Sequence, residues 1–315
     1  MKSKGPGHGS RMNALAIRNS VPRGISANGR LPAAIRLRGG RTVCLPAIMG
    51  VLNVTPDSFS DGGRYLDPDR AAGHALEMEA AGAAIIDIGG ESTRPFGARE
   101  VAPAVELERV GPVLKRLAGK LRVPISIDTR HSAVAQAAID CGVAIVNDVS
   151  ALTADPAMAP LVARAGCAVV LMHMRGGPGT HMRFARYRDV VREVADYLAA
   201  RARFAIAAGI PRSRIIVDPG IGFAKTAAHN IELLAALPRL CALGYPVLVG
   251  ASRKRFIGRI AGPDALGLEF GTAAANAIAI ARGASILRVH DPRAQAAAMR
   301  MAAAMRERWG MAAAR

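Results

Sequence analysis

Short apolar segments alternate with longer segments of helical character from residue 47 onward. The apolar segments contain four to seven residues with few polar interruptions, which is typical of strands buried on both faces of a parallel sheet. Eight of these segments are predicted to be strands: residues 48–54, 84–88, 124–128, 144–147, 168–172, 215–218, 247–250 and 285–289.

The segments between the strands carry apolar residues at helical spacing. They include residues 70–81, 105–118, 132–141, 187–208, 270–282 and 292–308. Eight strand–helix units over about 260 residues predict an α/β protein of the (β/α)8 TIM-barrel type, with one domain. A doubly wound open sheet is the alternative, but residues 52–56 (LNVTP) stand where its Gly-rich dinucleotide loop would follow the first strand.

Polar residues follow each predicted strand. In chain order they are Asn53, Asp87 with Glu91 and Thr93, Asp128, Asn147 with Asp148, His173, Asp218, Ser252 with Lys254, and Arg288 with His290. A single Asp after a strand is most often a helix cap. Eight polar strand ends in register instead predict one convergent site, because the carboxyl ends of barrel strands form the active face.

The residue types at these ends indicate two kinds of binding. Asp128, Asn147 and Asp218 offer acceptors and an amide to the donor edge of an aminated heterocycle such as a pterin or a purine. Arg and Lys after the last two strands suit a phosphate or pyrophosphate, which barrels often bind at that position.

The charge is concentrated at one end of the chain. With 42 Lys and Arg against 24 Asp and Glu, the net charge is +18, and half of it comes from nine basic residues among the first 56, where no acidic residue occurs. We expect a basic, disordered leader over residues 1–40 and a barrel over residues 41–315. The leader has three open interpretations: a non-functional extension with the true start at Met12 rather than Met1, an organelle transit peptide, or a basic arm for nucleic acid.

Composition also limits location and partners. No apolar run approaches the roughly 18 residues of a membrane span, so no membrane association is expected. Four cysteines without C-x-x-C spacing indicate reduced thiols and a cytoplasmic location. The 4% aromatic content provides few stacking platforms, so nucleic acid is not an expected partner of the barrel.

Two long motifs resemble the signatures of the dihydropteroate synthases, members of the pterin-binding enzyme family. Residues 49–63 (MGVLNVTPDSFSDGG) resemble the first and residues 89–95 (GGESTRP) the second. The resemblance continues, in order, through residues 128–129, 147–149, 171–174, 218–223, 252–254 and 288–291. It implies a TIM-barrel transferase, usually a homodimer and a target of sulfonamides. Such an enzyme joins p-aminobenzoate to a dihydropterin pyrophosphate, and releases dihydropteroate for folate synthesis and pyrophosphate.

The resemblance also implies roles for individual residues. The expected pterin ligands are Asp128, Asn147, Met172, Asp218 and Lys254. The expected pyrophosphate ligands are Asn53, Asp57, Arg288 and His290, with Asn53 also holding Mg²⁺. The expected p-aminobenzoate pocket comprises Phe59, Thr93, Arg94, Pro95, Phe223 and Ser252. Among these, Asp128, Lys254 and Asn53 are the expected catalytic residues.

These roles imply a dissociative displacement. Pyrophosphate leaves once Mg²⁺, Arg288 and His290 offset its charge, and the electron-rich pterin with Asp128 stabilises the methylene cation. Asp87 and Glu91 are expected to organise the second motif loop, and His173 to be a packed histidine beside Met172.

The second motif departs from the family pattern. The family usually reads Ser-Thr-Arg-Pro-Gly-Ala, whereas this chain has Phe96 inserted after Pro95. Phe96 either points outward or narrows the space beyond the substrate carboxylate and so weakens sulfonamide binding.

Three other functions are alternatives for this sequence. A pterin-using methyltransferase shares the barrel, but residues 252–254 and 288–290 favour a pyrophosphate substrate. An inactive paralogue is disfavoured because every expected binding residue is present. A basic nucleic-acid-binding protein would bind through its tail and lose affinity steeply with salt.

Overall fold

The structure of the chain, a computed structural model, describes residues 33–55, 67–91, 100–177 and 181–313. The described strands are β1 (Ala34–Arg36), β2 (Thr42–Cys44), β3 (Ala47–Asn53), β4 (Ile85–Gly89), β5 (Ile125–Asp128), β6 (Ile145–Asp148), β7 (Ala168–Met172), β8 (Ile215–Asp218), β9 (Leu248–Val249) and β10 (Ile286–Val289). The described α-helices are α1 (Pro68–Ala80), α2 (Pro103–Leu117), α3 (Ser132–Asp140), α4 (Met158–Ala165), α5 (Val190–Ala207), α6 (Ala227–Ala235), α7 (Leu237–Cys241), α8 (Arg255–Ala261), α9 (Ala265–Ala281) and α10 (Pro292–Ala313).

Eight parallel strands form a closed barrel surrounded by helices. The hydrogen-bonded order is β8-β7-β6-β5-β4-β3-β10-β9, and a parallel bridge between Val217 and Val247 joins the two ends. The predicted TIM barrel is confirmed, and each predicted strand overlaps one strand of this sheet.

Two predicted helices begin three or more residues from the expected position, and a capping aspartate explains each case. Helix α5 begins at Val190 rather than at residue 187, because the Asp189 side chain accepts a hydrogen bond from the Arg192 N–H at 2.9 Å. Helix α9 begins at Ala265 rather than at residue 270, because Asp264 caps it in the same way. Such a cap satisfies backbone donors that the first helical turn leaves unpaired.

A hairpin formed by β1 and β2 packs across the amino-terminal end of the barrel. Ile35 and Leu37 are buried in one apolar cluster with barrel residues that include Met49 and Ile286. The predicted boundary between leader and barrel at residue 40 stays a prediction. Ile35 and Leu37, which precede that boundary, already bury their side chains against the barrel. Residues 1–32 lie outside the described residues.

Removing β1 and the turn that follows it should destabilise the barrel. We expect a chain that starts at residue 41 to lose about 4 kcal/mol of unfolding free energy relative to a chain that starts at residue 33, because burying Ile35 and Leu37 contributes about 1.5–3 kcal/mol each. Urea unfolding of the two truncated chains measures this difference in unfolding free energy, since the chains differ only in the segment that contains β1. Equal urea midpoints for the two chains would support a boundary between leader and barrel at residue 40.

Among the described helices, none combines the length and the apolar character needed to cross a membrane.

Candidate active site

The carboxyl ends of neighbouring strands bring the expected site residues to one rim. Asn53 of β3 is in register with Gly89 of β4, Gly89 with Asp128 of β5, and Asp128 with Asn147 of β6. Met172 of β7 is likewise in register with Asp218 of β8. Because parallel register fixes these side chains at one height, they can contact the same ligand.

Arg288 of β10 links two buried carboxylates at the rim. Its Nε donates to Asp87 Oδ2 at 2.6 Å, and its Nη2 donates to Asp128 Oδ2 at 2.7 Å. Asn147 Nδ2 donates to the same Asp87 oxygen at 3.0 Å. One guanidinium therefore fixes both Asp87 and Asp128 and, through Asp87, orients the Asn147 amide.

Asp87 therefore has a different role from the expected one. Its side chain, on β4, is fully buried and contacts Arg288 and Asn147. Glu91 does organise the region next to the second motif: it accepts hydrogen bonds from the Val101 N–H and from Arg130.

Burial changes the protonation of the two carboxylates on the rim. It raises the pKa of Asp128 to about 7, although the Arg288 charge acts in the opposite direction. It raises the pKa of Asp218 to about 6, although the Gly220 N–H, which donates to Asp218 Oδ1 at 2.6 Å, favours the ionised form. Both groups therefore change charge between about pH 5 and pH 8.

Lys254 and Phe223 lie in the segments that follow β9 and β8. The Lys254 ammonium lies 3.9 Å from the centre of the Phe223 ring, and burial lowers the pKa of Lys254 to about 8, opposed by Asp218. Gly222 permits this approach, since a Cβ at that position would come within 2.7 Å of the Lys254 side chain. Phe223 also packs with Met172 and Val149 in a small buried cluster.

Ser252 and His290 contact each other, although they are expected to serve different substrates. The Ser252 hydroxyl lies 3.0 Å from His290 Nδ1 and accepts a hydrogen bond from the His290 N–H at 3.3 Å. His290 is therefore held at the end of β10, next to the segment that follows β9. The two expected pockets meet at this contact.

Five expected site residues lie outside the described residues, namely Asp57, Phe59, Thr93, Arg94 and Pro95, and so does the inserted Phe96. Their roles stay predictions. The described part of the site therefore covers the pterin and pyrophosphate sides more fully than the p-aminobenzoate side.

The described residues can hold Mg²⁺ only with help from a substrate. Within the described ranges no three His, Cys, Asp or Glu side chains are grouped to hold a metal ion. Asn53, half-buried on the same rim as Asp128, offers one amide oxygen. A single hard oxygen ligand fits Mg²⁺, which commonly keeps several waters and takes its other ligands from phosphate groups.

Two buried residues that contribute to the site were not singled out for these roles from the sequence. Asp87 interrupts an otherwise apolar strand, and that interruption is a usable signal of a buried charged partner. Lys225 is also buried and contacts His173 and Phe223. The signal for it in the sequence is its position seven residues after Asp218. His173 is a packed histidine, as expected: its ring is buried and lies 4.9 Å, edge to face, from the Tyr197 ring.

Comparison with known proteins places this geometry in a family. The family model described as "pterin binding enzyme" matches residues 49–290. The dihydropteroate synthase of Mycobacterium leprae is 54% identical over 264 residues, which cover 82% of this chain and 92% of that protein.

Solved structures agree with the sequence comparison. The Yersinia pestis dihydropteroate synthase in complex with a sulfonamide drug superposes with a TM-score of 0.83 at 40% identity, covering 87% of this chain and 99% of that one. The Xanthomonas albilineans dihydropteroate synthase in complex with 7,8-dihydropteroate gives a TM-score of 0.77 at 42% identity, covering 86% of this chain and 98% of that one.

Proposed function

The chain belongs to the pterin-binding enzyme family, and from that membership we propose that it is a dihydropteroate synthase. It transfers the dihydropterin-methyl group of 6-hydroxymethyl-7,8-dihydropterin pyrophosphate to the amine of p-aminobenzoate. The products are 7,8-dihydropteroate, for folate biosynthesis, and pyrophosphate.

One observation carries the proposal beyond family membership. Asp128, Asn147 and Asp218 meet at one rim, where Arg288 and Asp87 fix two of them. An aminated pterin presents several N–H donors along one edge, and buried carboxylate and amide oxygens are their natural acceptors. A heterocycle without those donors would leave buried acceptors unpaired, so the rim selects an aminated ring.

The same rim suits the departure of pyrophosphate. The C–O bond between the pterin methylene and the pyrophosphate breaks, and the electron pair leaves with the pyrophosphate. Arg288 and His290, both at the end of β10, stabilise that anion. Among the described contacts, Nη1 is the Arg288 nitrogen that does not bond a carboxylate, so in the proposal it donates to the leaving group.

The amine completes the reaction. The pterin ring delocalises the positive charge of the methylene, and the buried Asp128 carboxylate adds negative charge beside it. The neutral nitrogen of p-aminobenzoate forms the C–N bond, and its proton passes to solvent or to pyrophosphate. Lys254 and Phe223 enclose this side and limit the access of water to the cation.

Magnesium belongs to the proposal through Asn53. Bound Mg²⁺ would neutralise part of the charge on the pyrophosphate. Asn53 would supply one oxygen ligand, and the pyrophosphate would supply others.

A pyrophosphate-release assay tests the proposed function. We expect release only when the pterin pyrophosphate and p-aminobenzoate are both present, and a marked fall when Mg²⁺ is chelated. Adding Mg²⁺ back should restore the rate. Release that ignores p-aminobenzoate would indicate a pyrophosphatase instead, and full activity in chelator would remove Mg²⁺ from the proposal.

The raised pKa values of Asp128 and Asp218 predict a pH dependence of pterin binding. Only the ionised carboxylates accept hydrogen bonds from pterin N–H groups at every oxygen. Because these groups ionise near pH 7 and pH 6, kcat/KM for the pterin pyrophosphate should rise between about pH 5 and about pH 8. Initial rates at limiting pterin, in buffers of constant ionic strength, measure the profile. A flat profile over this range would contradict the assigned roles.

The proposal includes a homodimer, and an apolar surface supports it. The side chains of Ile260, Leu266, Phe270 and Ile278 on α8 and α9, and of Met301 on α10, are between 53% and 69% exposed. A second copy of the chain is the proposed occupant, since large contiguous apolar patches on soluble proteins commonly mark interfaces.

A charge in the centre of this surface should separate the dimer. Phe270→Asp is expected to shift the sedimentation coefficient from that of a dimer to that of a monomer at micromolar concentration, because a carboxylate would be desolvated at the interface. Phe204→Asp on α5, another exposed phenylalanine, is the matched control. Identical sedimentation of wild type and Phe270→Asp would argue against this interface.

A cytoplasmic location completes the proposal. Cys44, Cys141, Cys167 and Cys241 are all free thiols, which fits a reducing compartment.

A further inference from the structure

Lys225 lies behind the candidate site with its ammonium group enclosed by neutral acceptors. Its Nζ donates to the Phe223 carbonyl at 2.9 Å and to the His173 carbonyl at 3.3 Å, and it lies 3.0 Å from His173 Nδ1. The residue is 2% exposed. An ammonium has three N–H donors and no acceptor, so these three contacts match its donors in number.

The neighbouring histidine is in the form that this arrangement requires. Burial, together with the charges of Lys225 and Arg175, lowers the pKa of His173 to about 3, so its ring is neutral. Burial lowers the pKa of Lys225 to about 7, so below that pH it is an ammonium that can only donate. In that form His173 Nδ1 accepts, and the ring proton is on Nε2. The lysine therefore fixes one tautomer of His173.

The three contacts join two different loops. His173 directly follows β7 and is adjacent to Met172, whereas Phe223 lies in the loop after β8. The two segments also approach closely elsewhere, since Gly220 has φ +66° and a Cβ at that position would collide with the His173 carbonyl oxygen. Lys225 thus bonds both sides of a junction that the backbone already brings together.

This junction carries side chains of the proposed site. Met172 and Phe223 pack in the same buried cluster, and the Phe223 ring lies 3.9 Å from the Lys254 ammonium. A shift of the Phe223 backbone would therefore move the ring that supports Lys254. Because Met172 is an expected pterin ligand and Phe223 an expected p-aminobenzoate contact, such a shift would affect both substrates.

We propose that Lys225 is a positioning residue, which ties the ends of β7 and β8 together and thereby sets the places of Met172, Phe223 and Lys254 for substrate binding. The proposal rests on the proposed function of the site. It assigns Lys225 no contact with substrate. Asp218, Lys254 and Arg175 are the charged groups that act on it electrostatically, and no described carboxylate contacts its Nζ directly.

Lys225→Met tests the proposal, because methionine fills a similar volume without donors. We expect KM for both substrates to rise about ten- to hundredfold while kcat changes less than about threefold, since ground-state placement is lost and the reacting groups stay. Lys120→Met, at an exposed lysine outside the site, is the matched control and should behave as wild type. Lys225→Gln, which keeps two N–H donors, should recover part of the affinity.

A second readout needs no turnover. In ¹⁵N NMR of the substrate-free protein, His173 should show a single Nε2–H tautomer in wild type. In Lys225→Met it should show mixed tautomers and a higher pKa. If the methionine variant does not fold, the same two measurements on Lys225→Gln decide.

Two results would overturn the positioning role of Lys225. Unchanged KM values with only a lower melting temperature would overturn the proposal, because they would make Lys225 purely structural. An unchanged His173 tautomer would overturn it as well. A wild-type protein without turnover would refute the proposed function, whereas the NMR result would still report on the lysine junction.

Discussion

Asp218→Asn is expected to lower kcat/KM for the pterin pyrophosphate by about a thousandfold, equivalent to about 4 kcal/mol, while the protein still folds. Asn Oδ1 can still accept the hydrogen bond from the Gly220 N–H, which Asp218 accepts at 2.6 Å, so the loop after β8 should keep its shape. The other carboxylate oxygen becomes an NH₂ donor, however, and would face the N–H donors of the pterin. Two opposed donors in a buried site cost more than a missing contact, because neither can be solvated.

Steady-state kinetics with each substrate varied in turn measure this effect. Asp140→Asn is the matched control, since Asp140 is an exposed residue at the end of α3. The loss should appear with the pterin, and the melting temperature should stay within a few degrees. A loss of less than tenfold would remove Asp218 from the pterin site.

Arg288→Met should impair both stability and catalysis. The substitution leaves Asp87 and Asp128 buried without their common partner, and breaking a buried ion pair on one side typically costs about 3–5 kcal/mol. It also removes a cation from the leaving group, for which a loss of about 100- to 1000-fold in kcat is expected. Urea unfolding and initial rates measure the two effects separately.

The loss of stability in Arg288→Met should depend on pH. In the folded protein the pKa of Asp128 lies above its ordinary value, so between the two values the folded state binds the proton more tightly and stability falls as pH rises. Without Arg288 the pKa of Asp128 should rise further, because the guanidinium opposes the effect of burial. The variant should therefore be nearer to wild type at pH 5 than at pH 8.

A double substitution separates the charge effect from the catalytic effect. Asp87→Asn in the Arg288→Met background removes one unpaired carboxylate, so it should restore part of the stability without restoring turnover. Recovery of activity in the double variant would show that Arg288 acts only through Asp87. An equal loss of stability at pH 5 and pH 8 would contradict the ion-pair explanation.

Residues at strand ends could be predicted from the sequence because strand periodicity fixes them directly. Asp128, Asn147 and Asp218 each end a short apolar run, and parallel register then places them on one rim. The partner of Asp87 could not be predicted, because Arg288 is 201 residues further along the chain. The two residues approach each other because β10 and β4 both pair with β3. No local pattern encodes that contact.

The β1–β2 hairpin and the contacts of Lys225 could not be predicted from composition or motifs. The β1–β2 hairpin lies in an Arg-rich segment, so its apolar positions Ile35 and Leu37 did not stand out as part of the core. The Lys225 junction depends on a positive φ at Gly220 and on a close approach of the His173 carbonyl, neither of which a motif of residue types reveals.

Isotope labels test the proposed reaction most directly. The protein would be incubated with ¹⁵N-labelled p-aminobenzoate and with pterin pyrophosphate that carries ¹⁸O in the bridging C–O–P position, and the products would be examined by mass spectrometry. The proposed displacement at carbon predicts ¹⁵N-labelled dihydropteroate and, in equal amount, pyrophosphate that retains the ¹⁸O. Retention of ¹⁸O in a hydroxymethyl pterin, or the absence of labelled dihydropteroate, would contradict it.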